Sequence, residues 1–168
     1  MESISTESKS IIVSNRSLQL FKEDTDLIGV RKLIHKTIEV CYSAYYDKPI
    51  VSYFKDSFNN ENIKECAKKG FTIVYLIDRK IVGTGTLKEG QITALFIDPA
   101  FRGRGIGKRI VYSLLHEAEN KNIKTIQLSA TPSSEGFFKH LGFQTISVEN
   151  IWIESIFPLD LYVMEKWF

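Results

Sequence analysis

Little in this chain of 168 residues is extreme, and what it lacks excludes several classes of protein. It has two cysteines, Cys41 and Cys66, with neither Cys-x-x-Cys spacing nor a histidine cluster beside them. A disulfide framework or thiolate metal site has no material here, so reduced packing thiols and no metal are expected. His116 and His140 have no partner at ligand spacing and read as packing or surface residues. No apolar run approaches the roughly 20 residues needed to span a bilayer. The "IIV" at 11–13 is too short for the apolar part of a secretion signal. The expectation is a cytoplasmic protein with no membrane partner. Neither sign of charge dominates: the formal net charge is +2, so no nucleic-acid partner is expected and any anion binding should be local.

What remains is ordinary globular material. Hydrophobic residues make up 43% of the chain, which suits one core of fair size. Residues 1–14, polar and serine-rich, read as a frayed tail, leaving 15–168 as a single domain. A short strand is expected at 17–21. A helix then opens on Asp and Thr and places Val30, Ile34, Ile38, Cys41 and Tyr45 at helical spacing, until Pro49 stops it. A less regular helix lies within 50–69 and ends at Gly70. Apolar runs at 71–77, 81–87 and 91–97, separated by "DRK" and "KEG", read as a three-stranded meander. A helix from Ile106 to about Lys121 follows, with apolar residues at 106, 110, 114, 115 and 118. Strand 124–130, helix 133–141, strand 142–148 and a closing strand at 161–167 complete a mixed α/β order. The terminal Trp167 and Phe168 raise the expectation of a cover by a partner chain, that is, a homodimer.

The segment "DPAFRGRGIGKRI", 98–110, concentrates the chemistry. Glycines at 103, 105 and 107 lie between a strand and a helix start, where unpaired amides and the helix dipole favour an anion. Arg102, Arg104 and Lys108 add donors suited to phosphate oxygens. Two phosphate motifs are excluded by spacing. Gly107-Lys108 is followed by Arg109, not Ser or Thr, and the run is Gly-x-Gly-x-Gly, not Gly-x-Gly-x-x-Gly.

"ITALFIDPAFRGRGIGKRIVYSLLHEA" resembles motif A of the GNAT superfamily of acyl-CoA N-acyltransferases, with Arg102, Gly105 and Gly107 at its defining positions. "LSATPSSEGFFKHLGF" resembles motif B, and with the upstream elements the resemblance spans about 17–168. It implies a mixed, mostly antiparallel sheet with helices on both faces and a splayed parallel strand pair, here 91–97 and 124–130. It implies acetyl-CoA as co-substrate and an amine acceptor, a small molecule or a peptide. The pantetheine arm is expected on the backbone of Leu95, Phe96 and Ile97. The pyrophosphate is expected on Arg102, Gly103, Arg104, Gly105, Ile106, Gly107 and Lys108, where side chains at 105 or 107 would intrude on the phosphate or the adjoining turn.

The tyrosine that relatives use to protonate the leaving thiolate falls at Phe138, which has no hydroxyl. Tyr45, Ser129 or a water are expected to stand in. Thr93 and Gln127 carry no ionisable group where some relatives place a glutamate. His35, Glu39, Tyr42 and Tyr46 share one helix face, and Glu39 is the candidate base. Aromatic residues within 42–54 form a candidate pocket for a cationic acceptor. Two other readings remain open: a non-catalytic acyl-CoA-binding regulatory domain and, disfavoured by the charge, a nucleic-acid module.

Overall fold

The computed structural model describes residues 15–168; the segment 1–14, read as a frayed tail, lies outside the described residues. The meander forms because its two short connections accept left-handed backbone. Asp78-Arg79 (φ 49° and 68°) and Glu89-Gly90 (φ 49° and 78°) are two-residue loops whose twist matches that of the flanking strands. They join β2 (Phe71–Ile77), β3 (Lys80–Lys88) and β4 (Gln91–Ile97), and β1 (Arg16–Leu20) pairs antiparallel with β2. β5 (Thr125–Ala130) pairs with β7 (Phe157–Trp167), which pairs in turn with β6 (Gln144–Ile153). The sheet order is β1-β2-β3-β4-β5-β7-β6, antiparallel except at β4–β5.

Alternation along the central strands divides the interior. Ile73, Tyr75 and Ile77 face one side, where α4 (Ile106–Asn120) and α5 (Pro132–His140) cover them with Ile110, Leu114 and Phe138. Val74 and Leu76 face the other side, against Val30, Ile34 and Ile38 of α1 (Glu23–Tyr42) and Ile63 of α3 (Asn60–Lys69). The expected helices on both faces are present.

The boundaries differ in three places. α1 stops at Tyr42, so Tyr45 and Tyr46 lie in the turn beyond it and not on its face. The stretch 50–69 is two helices, α2 (Lys48–Ser57) and α3, because the Asn59 side chain accepts from the Asn62 amide and starts a new helix. Pro49 accordingly sits in the first turn of α2, where its missing N–H costs nothing. Finally, β6 and β7 form a longer hairpin than the apolar pattern of 142–148 and 161–167 indicates. Backbone pairing from Gln144↔Glu165 to Ile153↔Phe157 carries it through polar positions. Trp167 and Phe168 are about half exposed in the single chain.

The position of α4 depends on two glycines of β3. A Cβ at Gly85 would sit 2.6 Å from Cγ2 of Ile110, and one at Gly83 would sit 2.8 Å from its Cδ1. Gly85→Ala should therefore push α4 off the sheet and lower stability by about 1–3 kcal/mol. Thermal unfolding should show a drop of several degrees for a chain of this size.

Candidate active site

β4 and β5 run side by side for one paired position only. Gln91 pairs with Gln127, the Gln127 amide donating to the Gly90 carbonyl at 2.9 Å, and the strands then part. A bulge in β4 explains the parting. The register against β3 shifts between Thr84 and Thr86, and Ala94 takes φ 53°, unusual for a residue with a side chain. Bulges of this kind bend the strand and increase its twist. Beyond the bulge, the Asp98 amide donates to the Val82 carbonyl at 2.9 Å, so Asp98 faces β3. By the two-residue alternation Phe96 also faces β3, whereas Leu95 and Ile97 turn their backbone groups to the open side.

At the wide end of this gap α4 begins. Gly105 occupies its N-cap with φ 75° and no side chain caps the helix, while the first turn holds no acidic residue. The amides of Ile106, Gly107 and Lys108 therefore have no intrahelical acceptor, as at any helix start. A Cβ at Gly103 or Gly105 would touch nothing within 4 Å, so the turn does not crowd position 105 as expected; its positive φ demands the glycine. Gly107 is different: a Cβ there would lie 3.1 Å from the Phe137 ring of α5.

The turn before α4 is braced by a group that the sequence analysis passed over. The Asp98 side chain, 2% exposed, accepts from Lys36 Nζ at 2.8 and 2.9 Å and from the Ala100 amide at 3.0 Å. Lys80 Nζ adds a contact at 3.3 Å. Burial alone would push the Asp98 carboxyl up, but Lys36, the Ala100 amide and Lys80 outweigh it and hold the group below its ordinary value. Asp98 thus ties α1, β3 and the short 3-10 turn Pro99–Phe101 into one unit immediately ahead of the glycine loop.

The gap and the loop open into one cleft of about 890 Å³. Leu95, Phe96, Ile97, Arg102, Gly103, Gly105, Ile106, Gly107, Lys108 and Ser129 all line it. Arg104 does not; its guanidinium lies over the Phe101 ring, 5.0 Å from the centroid. Phe138 lines the cleft wall while packing against Phe137 and Phe143 at 5.1 and 5.8 Å between centroids. Tyr45 lines the cleft at its rim and is 71% exposed. Glu39 is not brought to the cleft. It pairs with Lys55 Nζ at 3.0 Å on an exposed flank, because its turn of α1 faces outward. His35 is also placed elsewhere, its Nε2 at 2.9 Å from the Phe58 carbonyl oxygen.

One cleft residue, Glu149, has no role in the sequence reading, and another, Tyr42, figures there only as part of the aromatic pocket and of the helix face bearing Glu39. Glu149 is the one carboxylate lining the cleft among the described residues. It lies on the part of β6 that lacks an apolar pattern, so no local signal marks it. Tyr42, half-buried against Tyr46 and Phe54, has its phenol pushed up to about 12. Burial is the main cause, with Tyr46 and Cys41 adding to it and Arg102 opposing. Its position at the end of α1 beside a run of aromatics was the available signal. Cys41 and Cys66 are free thiols. Among the described residues no cluster of His, Cys, Asp and Glu could hold a metal ion, and no helix is long and apolar enough to cross a membrane.

A split mixed sheet with an uncapped helix start at the mouth of the split defines the acyl-CoA N-acyltransferase class of fold. The chain belongs to the GNAT acetyltransferase family, whose domain model matches residues 22–152. An uncharacterised N-acetyltransferase, ycf52, of Gracilaria tenuistipitata is 41% identical over 71 residues, 42% of this chain and 39% of that protein. Glucosamine 6-phosphate N-acetyltransferase 1 of rice is 30% identical over 74 residues, 44% of each chain. The chain spans under half the length of either curated relative. Among solved structures, a GCN5-related N-acetyltransferase of Rhodopseudomonas palustris superposes with TM-score 0.83 at 17% identity, covering 94% of this chain and 99% of that one. The PaiA N-acetyltransferase of Thermoplasma acidophilum, in complex with coenzyme A, gives 0.76 at 15% identity, covering 92% and 99%.

Asp98→Asn tests the brace. Both lysines are about half exposed, so the loss should be about 1–2 kcal/mol, less than for a fully buried pair. Because the folded carboxyl titrates low, its contribution is whole above the usual value near 4 and fades as pH falls through the lower folded value. Melting temperature followed from pH 7 to 2 should show this acid-side loss in the parent protein and a smaller one in the variant.

Proposed function

We propose that the protein transfers an acyl group, acetyl in the simplest case, from acyl-coenzyme A to an amine by direct attack within a ternary complex. The observation that carries this is the open β4–β5 gap with the uncapped α4 start at its mouth. Family membership and the fold shared with a coenzyme A complex support it. In this reading the amides of residues 103–108, with the Arg102 and Lys108 side chains, hold the pyrophosphate; the Arg102 amide, expected to join them, donates instead to the Pro99 carbonyl. Arg104 contributes its amide alone, since its guanidinium is stacked on Phe101. The backbone groups of Leu95 and Ile97 pair with the pantetheine amides as a neighbouring strand would. One of these two amides also faces the negative charge that builds on the carbonyl oxygen.

Acyl-coenzyme A supplies an activated carbonyl on a thiol that leaves readily, its pKa being near 8.5. The amine nitrogen bonds to that carbon, the carbon–sulfur bond breaks, and two protons must be handled. Glu149 receives the ammonium proton through water, in place of Glu39, which lies outside the cleft. Tyr42, protonated throughout the neutral range, donates toward the departing sulfur. Ser129 remains a further donor on the opposite strand. Tyr42, Tyr45, Phe54 and Glu149 all line the cleft, and in this reading they receive an alkylammonium, whose charge both carboxylate and ring faces attract.

A second reading, a non-catalytic acyl-CoA sensor, is favoured by one observation: Phe138 is buried where relatives carry a hydroxyl. Titration calorimetry and thiol release separate the two. Acetyl-CoA should bind, and Gly107→Glu, which adds bulk against Phe137 and a negative charge at the helix start, should abolish binding. With an amine panel, Glu149→Gln and Tyr42→Phe should each lower turnover by about 10²-fold. Glu39→Gln and Tyr45→Phe should leave it within about twofold, as surface changes do. Saturable binding without thiol release for any amine would establish the sensor.

A further inference from the structure

Next to the main cleft lies a second cavity of about 200 Å³, on the sheet face covered by α1 and α3. Its inner wall is built from Val30, Ile34, Ile63, Thr72, Thr84 and Thr86, each at most 8% exposed. The two cavities share Phe58, Gln91, Thr93 and Ala94 as lining residues, so the β4 bulge forms their common wall. Phe58 stands edge-on to Phe96 in this wall, 5.1 Å between centroids.

The threonine hydroxyls of this cavity are held within the protein. Thr72 and Thr86 bond to each other at 2.8 Å, Thr84 donates to the Ile73 carbonyl at 3.0 Å, and Thr93 lies 3.5 Å from the Cys66 sulfur. Each of the four has a partner inside the protein, so their hydroxyls are partly satisfied without an occupant. The inner wall is otherwise the aliphatic side chains of Val30, Ile34 and Ile63, and the polar Ser57, Asn62, Lys88, Glu89 and Gln91 complete the lining. A cavity of about 150 Å³ accommodates a six-carbon ring, so this one has room for a short aliphatic chain.

Resting on the acyl-transfer reading above, we propose that this side cavity is an acyl-chain subsite and that the preferred donor carries an unbranched acyl group of four to six carbons. The direction follows from the layers. The helix start that holds the pyrophosphate belongs to the α4 face, and the gap between β4 and β5 leads through the sheet to the α1 face. The acyl end is therefore directed to Ala94 and Phe58, in the wall shared with the side cavity. A chain continuing past the carbonyl turns toward Ile34 and Ile63, and its far end approaches the polar rim at Asn62 and Lys88.

Binding without any amine present tests this independently of turnover. Calorimetry would compare coenzyme A, acetyl-CoA, butyryl-CoA and hexanoyl-CoA. Each buried methylene contributes about fourfold in affinity, so butyryl-CoA, with two more, should bind roughly fifteenfold tighter than acetyl-CoA. Cys66→Phe, which fills the cavity from α3, should erase that advantage and leave acetyl-CoA affinity unchanged. Cys66→Leu, a smaller change, should reduce it in part and guards against misfolding of the larger variant. Butyryl-CoA binding no tighter than acetyl-CoA, or an advantage that survives both substitutions, overturns the subsite while leaving acetyl transfer intact. No binding by any of the four overturns the acyl-transfer reading and the subsite with it.

Discussion

Two adjacent strands that share one paired position and then separate leave backbone donors and acceptors facing each other across a gap. In a folded interior such groups are costly unless something pairs with them. Every other strand of the sheet is paired along most of its length, so the opening at β4–β5 is specific to that position. The structure maintains it from both sides. On one, the bulge at Ala94 bends β4 toward β3; on the other, six paired positions between β5 and β7 hold β5 away. An extended molecule with its own amides is the chemical complement of such a gap.

The rest of the site is arranged around that opening. α4 is drawn close to the sheet by Gly83 and Gly85, which sets where its uncapped first turn points. Asp98 then ties the turn ahead of α4 to α1 and β3. Arg102 and Lys108 line the cleft beside the helix start, and Glu149 lines it from β6.

The aromatic cluster at the end of α1 illustrates how packing and chemistry coincide. Tyr42, Tyr46 and Phe54 contact one another edge to face or tilted, at 4.9 to 6.3 Å, and close the core beneath the cleft. The same burial that stabilises them raises the Tyr42 phenol above its ordinary value, so it stays protonated well beyond the neutral range. The threonine hydroxyls between α1, α3 and the sheet are likewise partnered inside the protein, Thr72 with Thr86 and Thr84 with the Ile73 carbonyl.

By itself, the sequence determined whatever depends on neighbours along the chain. The periodicities of α4 and of β2 to β4, the two left-handed turns and the glycine loop all follow from local backbone and side-chain preferences. The run 102–108 was legible as a glycine turn ahead of a helix start for the same reason: its amides are consecutive. The split of 50–69 was missed because Asn59 is a weak local signal, and the full β6–β7 hairpin because cross-strand pairing, not an apolar pattern, sustains it. Only the tertiary structure decided which carboxylate reaches the cleft. Glu39 and Glu149 are equally plausible in isolation, but the face of α1 sends one to Lys55 and solvent while the twist of a distant hairpin brings the other to the cleft. Position in space, unlike hydrogen bonding between chain neighbours, depends on how every layer packs.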